Sequence, residues 1–231
     1  MTMMLLRGCT FRHLTLVLMV LICWAQTTIA NEQSEQISKA LSQLSSVTLV
    51  HGEFKQQKNL AGLDHALQSE GNFIFWKNQG LYLENNIPFF NATTMTLDSM
   101  IQWNEDGSSV ALEEKNGVIQ REINKTLLAF FSADLELIRA RFHTQWQFTE
   151  KGWTLTLVPQ QAMVSQHMKD VTLQGDTYLT SLLVRAGNGD STEMKFSNVQ
   201  ENKAPTYDQC RRFYLDNIKQ HCAAYTASAQ K

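Results

Sequence analysis

Proline is scarce: three in 231 residues. With no low-complexity stretch and no internal repeat, that excludes extended linkers, solenoids and a largely disordered chain. Charge is sparse too, at 18% of residues, and long runs of Lys or Arg are absent. The formal charge is −2. A mildly acidic chain without a basic stripe is poorly matched to nucleic acid or to an anionic lipid surface. There is no Gly-x-Ser-x-Gly elbow and no phosphate-cradling glycine loop. His51, His65, His143, His167 and His221 are scattered, with no pair at helical metal spacing. Gly187-Asn188-Gly189-Asp190 lacks the rest of a calcium loop and reads as a hairpin turn. Asn91-Ala92-Thr93 and Asn124-Lys125-Thr126 match short glycosylation sequons, which arise often by chance. No catalytic or metal-ligating set is expected, and no cofactor.

No apolar run reaches the roughly twenty residues a bilayer-spanning helix needs. The one apolar run near the start, Leu14 to Trp24, has eleven residues. It follows a head carrying Arg7 and Arg12 and no acid, and it leads to Thr28-Ile29-Ala30. That order predicts a secretory signal peptide over residues 1–30, cleaved near Ala30. The alternative, an uncleaved anchor, is disfavoured by length. Cys9 and Cys23 lack the sequence around them that lipid attachment requires. Removal of thirty residues leaves 201 of the 231 and takes the formal charge from −2 to −4. That length suits one domain, or two small ones, with a sizeable core.

Cys210 and Cys222 then remain. An even pair in an oxidising compartment predicts a disulfide. The interval between them reads as helical, with Phe213, Tyr214 and Ile218 on one face. A straight helix of twelve residues would hold the two Cα atoms about 18 Å apart, and a disulfide needs them within about 7 Å. The expectation is therefore that the helix covers only part of the interval. One continuous helix with free or intermolecularly bonded thiols is the alternative.

Asn31 to Leu44 predicts an amphipathic helix, with Ile37, Ala40, Leu41 and Leu44 on one face. Short strands follow: Phe73 to Trp76, Leu81 to Leu83, Met95 to Leu97 and Met100 to Trp103. The clearest pair is Phe142 to Thr149 with Trp153 to Val158. Phe142, Thr144, Trp146 and Phe148 alternate with His143, Gln145, Gln147 and Thr149, and Trp153, Leu155 and Leu157 alternate with Thr154 and Thr156. About ten to twelve such strands, punctuated by Asp-Gly, Asn-Gly and Lys-Gly turns, suit an antiparallel barrel or sandwich. Lys125 to Arg141 breaks the rhythm and predicts two short helices, with Ser132 as the second one's N-cap. The first is apolar nearly all round, so it must be buried or cover something apolar.

Aromatic residues are in surplus, with five Trp and twelve Phe. Phe73-Ile74-Phe75-Trp76 is apolar on both faces, which a one-sided sheet does not require. Either these residues fill an ordinary core, or the sheet has an apolar inner face closed by the helices and holds acyl chains.

In order and spacing the chain resembles the LolA-like periplasmic carriers of outer-membrane lipoproteins. The resemblance runs from about Asn31 to Gln200. It is carried by the leading helix, Gly52-Glu53-Phe54-Lys55-Gln56-Gln57, Leu67-Gln68-Ser69-Glu70-Gly71-Asn72-Phe73-Ile74-Phe75, Phe130-Phe131-Ser132-Ala133-Asp134-Leu135 and Trp153-Thr154-Leu155-Thr156-Leu157-Val158-Pro159. It implies an α+β chain that is mainly β: an unclosed antiparallel barrel with a leading helix and an inserted helical lid. The domain would span residues 31–200, with a partly helical extension over 201–231. The apolar cavity would be lined by Phe73, Phe75, Trp103, Trp146, Phe148, Trp153 and Leu157. The lid would carry Leu127, Phe130, Phe131, Leu135 and Ile138. The resemblance implies a periplasmic carrier or chaperone for a lipid, acylated lipoprotein or other apolar ligand, in transient contact with membrane-bound donor and acceptor proteins. A non-catalytic envelope sensor that binds a partner protein is the alternative; an enzyme fits least. One departure stands out. Where such carriers have an Arg-Pro that locks the lid, this chain has Trp76-Lys77-Asn78-Gln79. Lys77 could donate to a lid carbonyl, without arginine's planar fork.

Overall fold

The computed structural model describes residues 33–112, 117–132 and 134–225, with a few side chains in helix α2 (Gly117–Ser132) and one in helix α4 (Ala162–Ser165) left aside. The predicted signal peptide lies outside them. The contacts divide the chain into two units, Met1–Ala40 and Leu41–Lys231. In the first unit the described residues, 33–40, are helical. They open helix α1, residues 33–46, whose last turns belong to the second unit.

The second unit is built on eleven strands in one antiparallel sheet. In chain order these are β1 (Leu49–Asn59), β2 (Leu67–Trp76), β3 (Gly80–Ile87), β4 (Asn91–Met95), β5 (Met100–Trp103), β6 (Ser109–Ala111), β7 (Phe142–Thr149), β8 (Gly152–Pro159), β9 (Asp170–Gly175), β10 (Leu179–Arg185) and β11 (Ser191–Glu201). Their order across the sheet is β6-β5-β4-β3-β2-β1-β11-β10-β9-β8-β7. Each strand pairs with its neighbours in sequence, and the first strand pairs with the last. Among the described residues, only the step from β6 to β7 is unpaired. That gap carries α2 (Gly117–Ser132) and α3 (Leu135–Arg141). This is the expected unclosed barrel, with its helices inserted where the hydrogen bonding stops.

The alternation read from the sequence places the strand faces. In β7, Phe142 and Trp146 are buried while His143, Gln145, Gln147 and Thr149 are exposed. Trp146 lies opposite Leu155, and Phe148 opposite Trp153. Successive residues point to opposite faces, and laterally paired residues share one. One face therefore carries Val50, Phe75 and Leu81 in one row and Phe73 beside Gly52. The other carries Ile74, Tyr82, Thr94 and Ile101. Gly71, inside the stretch that carries the resemblance, sits where the β2–β3 register shifts. A Cβ there would lie 1.8 Å from the Glu84 carbonyl oxygen, so no larger residue fits without moving β3.

Two details of the helical insertion differ from expectation. The first helix is longer, sixteen residues rather than a short apolar stub. Its opening residues are polar or mixed, so no apolar period marks them. The N-cap of α3 is Asp134, whose carboxylate accepts from Leu137 N at 3.1 Å. Ser132 instead donates back to Leu128 O at 2.9 Å within α2.

Candidate functional site

The face that carries Phe73 and Phe75 lies under α2. The Phe131 ring stacks on Phe75 with centroids 5.5 Å apart, and meets Phe196 edge-on at 5.5 Å. Phe73 meets Phe196 at 5.1 Å. One aromatic side chain from the helix thus fills the space between β2 and β11. The cavity left there is about 20 Å³, lined by Leu44, Val47, Val50, Phe73, Phe75 and Phe131 among others. It is room for about one water. In this conformation apolar side chains of α2 occupy this part of the face. A cleft of about 140 Å³ opens beside the lid, between α2, α3 and the β2–β3 turn. Phe75, Leu97, Leu128 and Leu137 line it, so it leads from the surface to the covered face.

Further along the same face, β7 and β8 supply a second aromatic group. Trp146 stacks on Phe148 at 5.7 Å, nearly parallel, and meets Trp153 at 5.8 Å. Leu157 is fully buried two residues beyond Leu155. The Trp153 indole covers Gly175, where a Cβ would lie 2.4 Å from Cζ2, and donates Nε1–H to Asp176 O at 2.9 Å. Trp146 is 8% exposed, and its Nε1–H has no acceptor among the described residues.

Trp103 does not belong with these residues. The register Ala92–Trp103 and Glu84–Ala92 puts it on the opposite face of the sheet. There it packs with Tyr82, Ala92, Ile101 and Phe213. Its Nε1–H donates to Thr94 Oγ1 at 2.8 Å, and Thr94 in turn donates to Arg212 O. The Arg212 guanidinium lies over the Tyr82 ring at 5.2 Å and the Trp103 ring at 5.9 Å. The cover is the C-terminal segment, with α5 (Tyr207–Arg211) and α6 (Ile218–Cys222). Trp76 meets Phe213 at 5.6 Å, and Tyr214 donates to Gln79 Oε1 at 3.0 Å. This explains why Phe73-Ile74-Phe75-Trp76 is apolar at every position: α2 covers one face and the C-terminal segment the other.

Cys210 and Cys222 are bonded, with Cα atoms 5.8 Å apart. The chain turns between α5 and α6, as the disulfide required of an interval that otherwise reads as helix. Tyr82 donates to Glu84, and burial together with that carboxylate pushes its hydroxyl pKa well above the usual tyrosine range. A polar groove of about 370 Å³ lies beside it, lined by His51, Glu53, Glu84, Asn198, Asp208 and Arg212 among others.

The remaining lid residues divide by burial. Phe130 and Ile138 are buried, and Phe130 lies 6.0 Å from Phe142. Leu127 and Leu135 are half-buried. Asn124 is the anchor that sequence reading missed. It is 1% exposed, and its amide donates to Thr96 O at 3.0 Å and Ser99 O at 3.4 Å in the β4–β5 turn. Its neighbours Glu122, Lys125 and Thr126 are polar, so nothing in the sequence marks it as buried. That burial also removes it as a glycan acceptor. Arg141 donates to Thr126 Oγ1 at 3.0 Å, tying α3 to α2. Lys77 does not reach the lid. Its ammonium donates to Ser45 O at 2.6 Å, at the carbonyl end of α1.

The chain is thus an open antiparallel sheet with an apolar face under inserted helices. The family model "Outer membrane lipoprotein carrier protein LolA" matches residues 45–211, and the chain belongs to that family. No curated protein matches it in sequence. Among solved structures it is similar to a LolA superfamily protein from Nitrosomonas europaea, at 10% identity and TM-score 0.39, over 73% of this chain and 94% of that one. It is similar to a DUF1329 family protein from Desulfovibrio piger, at 10% identity and TM-score 0.40, over 80% and 95%. It is also similar to a chain in the MucA/MucB complex of Pseudomonas aeruginosa, at 12% identity and TM-score 0.41, over 74% and 58%. No helix among the described residues is long and apolar enough to cross a membrane.

Proposed function

We propose that this protein is a non-catalytic periplasmic carrier that binds a lipid or acylated ligand on the face now covered by α2. The observation that carries this reading is Phe131. It is an aromatic plug, supplied by a helix inserted at the one unpaired step of the sheet, on a face lined by Phe73 and Phe75. Magnitudes support exchange. Re-exposing Leu128, Phe130 and Phe131 costs on the order of 5 to 9 kcal/mol at about 1.5 to 3 kcal/mol per side chain. An acyl chain of about fourteen methylenes gains on the order of 11 kcal/mol at about 0.8 each. Two terms of similar size favour a reversible swap of helix for ligand. Residues 1–30 direct export, 31–200 form the carrier domain, and the extension over 201–231 braces its outer face through its described residues, up to 225. Membrane-bound donor and acceptor proteins load and unload the ligand.

Native mass spectrometry of protein purified from its own periplasm tests this. A co-purifying acyl species and a mature chain beginning at Asn31 are the expected result. An empty chain in stoichiometric complex with another protein would favour the second reading, a partner-binding sensor, for which the polar groove beside Arg212 is the supporting feature.

A further inference from the structure

Two tryptophans on the sheet use their indole donors inside the fold: Trp103 gives its proton to Thr94 Oγ1, and Trp153 to Asp176 O. Trp146 does not. It is 92% removed from solvent, lies on the α2 side of the sheet, and its Nε1–H meets no acceptor among the described residues. Buried donors are satisfied in the great majority of cases, so each exception calls for a cause. Its ring neighbours, Phe148 at 5.7 Å and Trp153 at 5.8 Å, offer no acceptor atom. The residues paired along its row, Leu155 and Leu173, are apolar. A phenylalanine would fill such a site without leaving a donor unmet.

We propose that Trp146 is a ligand-binding residue whose indole N–H donates to the carbonyl oxygen of an acyl ester or amide. This rests on the carrier reading above and narrows it. The cargo is an acylated molecule rather than bare hydrocarbon, and its carbonyl end lies at the β7 edge while its chain runs under α2. The reason is selectivity. An apolar wall ranks ligands by methylene count alone. One unmet donor in that wall favours a ligand that brings one acceptor, because any other occupant leaves the donor unpaired.

The test uses the mature protein and three probes of matched chain: methyl palmitate, N-methylpalmitamide and hexadecane, each delivered from cyclodextrin. Indole ¹⁵N–¹H spectra are recorded for the wild type and for Trp146→Phe. The expected result is that the Trp146 signal moves downfield with ester or amide and not with hexadecane. The Trp103 signal stays in place. Trp146→Phe weakens ester and amide binding about five- to tenfold and leaves hexadecane unchanged. Whichever of ester and amide shifts the signal further identifies the linkage. The proposal is overturned if ester and amide both bind and neither moves the Trp146 signal, or if hexadecane moves it equally. If Trp146→Phe fails to fold, the wild-type spectra decide alone. If none of the three probes binds, the carrier reading fails and this inference with it. If all bind and Trp146 is indifferent, only this inference fails.

Discussion

Phe131 on α2 lies 5.5 Å from Phe75 on β2 and 5.5 Å from Phe196 on β11, so one lid side chain contacts both halves of the sheet. Replacing it with alanine removes the plug and leaves the sheet's hydrogen bonding alone. The expected cost is about 3 kcal/mol in urea unfolding, at the low end for a buried Phe→Ala change because α2 can shift. Fluorescence of an apolar dye such as anilinonaphthalene sulfonate should rise in the folded variant. A loss of stability with no gain in dye binding would make Phe131 ordinary core.

Asn124 holds the same helix by a different means. Asn124→Ala removes the amide donor from the Thr96 carbonyl, while the Ser99 carbonyl keeps its bond from Thr96 N at 2.9 Å. A destabilisation of about 1 to 3 kcal/mol follows. The sharper readout is hydrogen exchange. Amides of α2 should exchange faster, while those of β1, β2 and β11 keep their protection. Uniform loosening of the sheet would show that the anchor serves the whole fold.

The disulfide acts on the other face. Replacing Cys210 and Cys222 with serine together should cost about 3 kcal/mol, the value for closing a loop of this size. Trp103 and Trp76, both under the C-terminal segment, should shift their emission to the red as that cover loosens. Ligand binding beneath α2 should persist. Thiol titration of the denatured, unreduced mature chain should find neither thiol free.

Lys77 contributes at the end of α1. Its 2.6 Å bond to Ser45 O is at an exposed position, where a charge beside a helix C-terminus is worth about 0.3 to 1 kcal/mol. Lys77→Ala should lower the melting temperature slightly, and added salt should shrink the difference. Exchange of α2 amides should not change. Faster exchange there would restore a lid-locking role to this lysine.

Much of the sheet was legible because a strand covered on one face writes its burial into alternation. Phe142 to Thr149 reads as inside and outside before any coordinate is consulted, and the β7–β8 register follows from the turn between them. Trp103 was not legible in this way. Its strand runs Met100-Ile101-Gln102-Trp103, and both parities carry apolar residues, because α2 lies over one face of the sheet and the C-terminal segment over the other. The clue was the doubled apolar pattern of Phe73 to Trp76, read together with Phe213-Tyr214-Leu215 more than a hundred residues away. The start of α2 was missed because Gly117 to Asn124 has no apolar stripe of its own and contacts the β4–β5 turn through a buried amide.

By itself, the sequence determined the alternation of strands such as Phe142 to Thr149, the presence of helices within the strand succession, and two cysteines left to pair. Those follow from local alternation, from its interruption between Lys125 and Arg141, and from an even cysteine count. Only the tertiary structure decided which face lies under the lid, what fills that face, and which side Trp103 serves. Alternation divides a strand into two faces but cannot say which is which. That choice is made by contacts between distant segments: β1 with β11, Phe131 with Phe75 and Phe196, and Trp103 with Thr94 beneath Arg212.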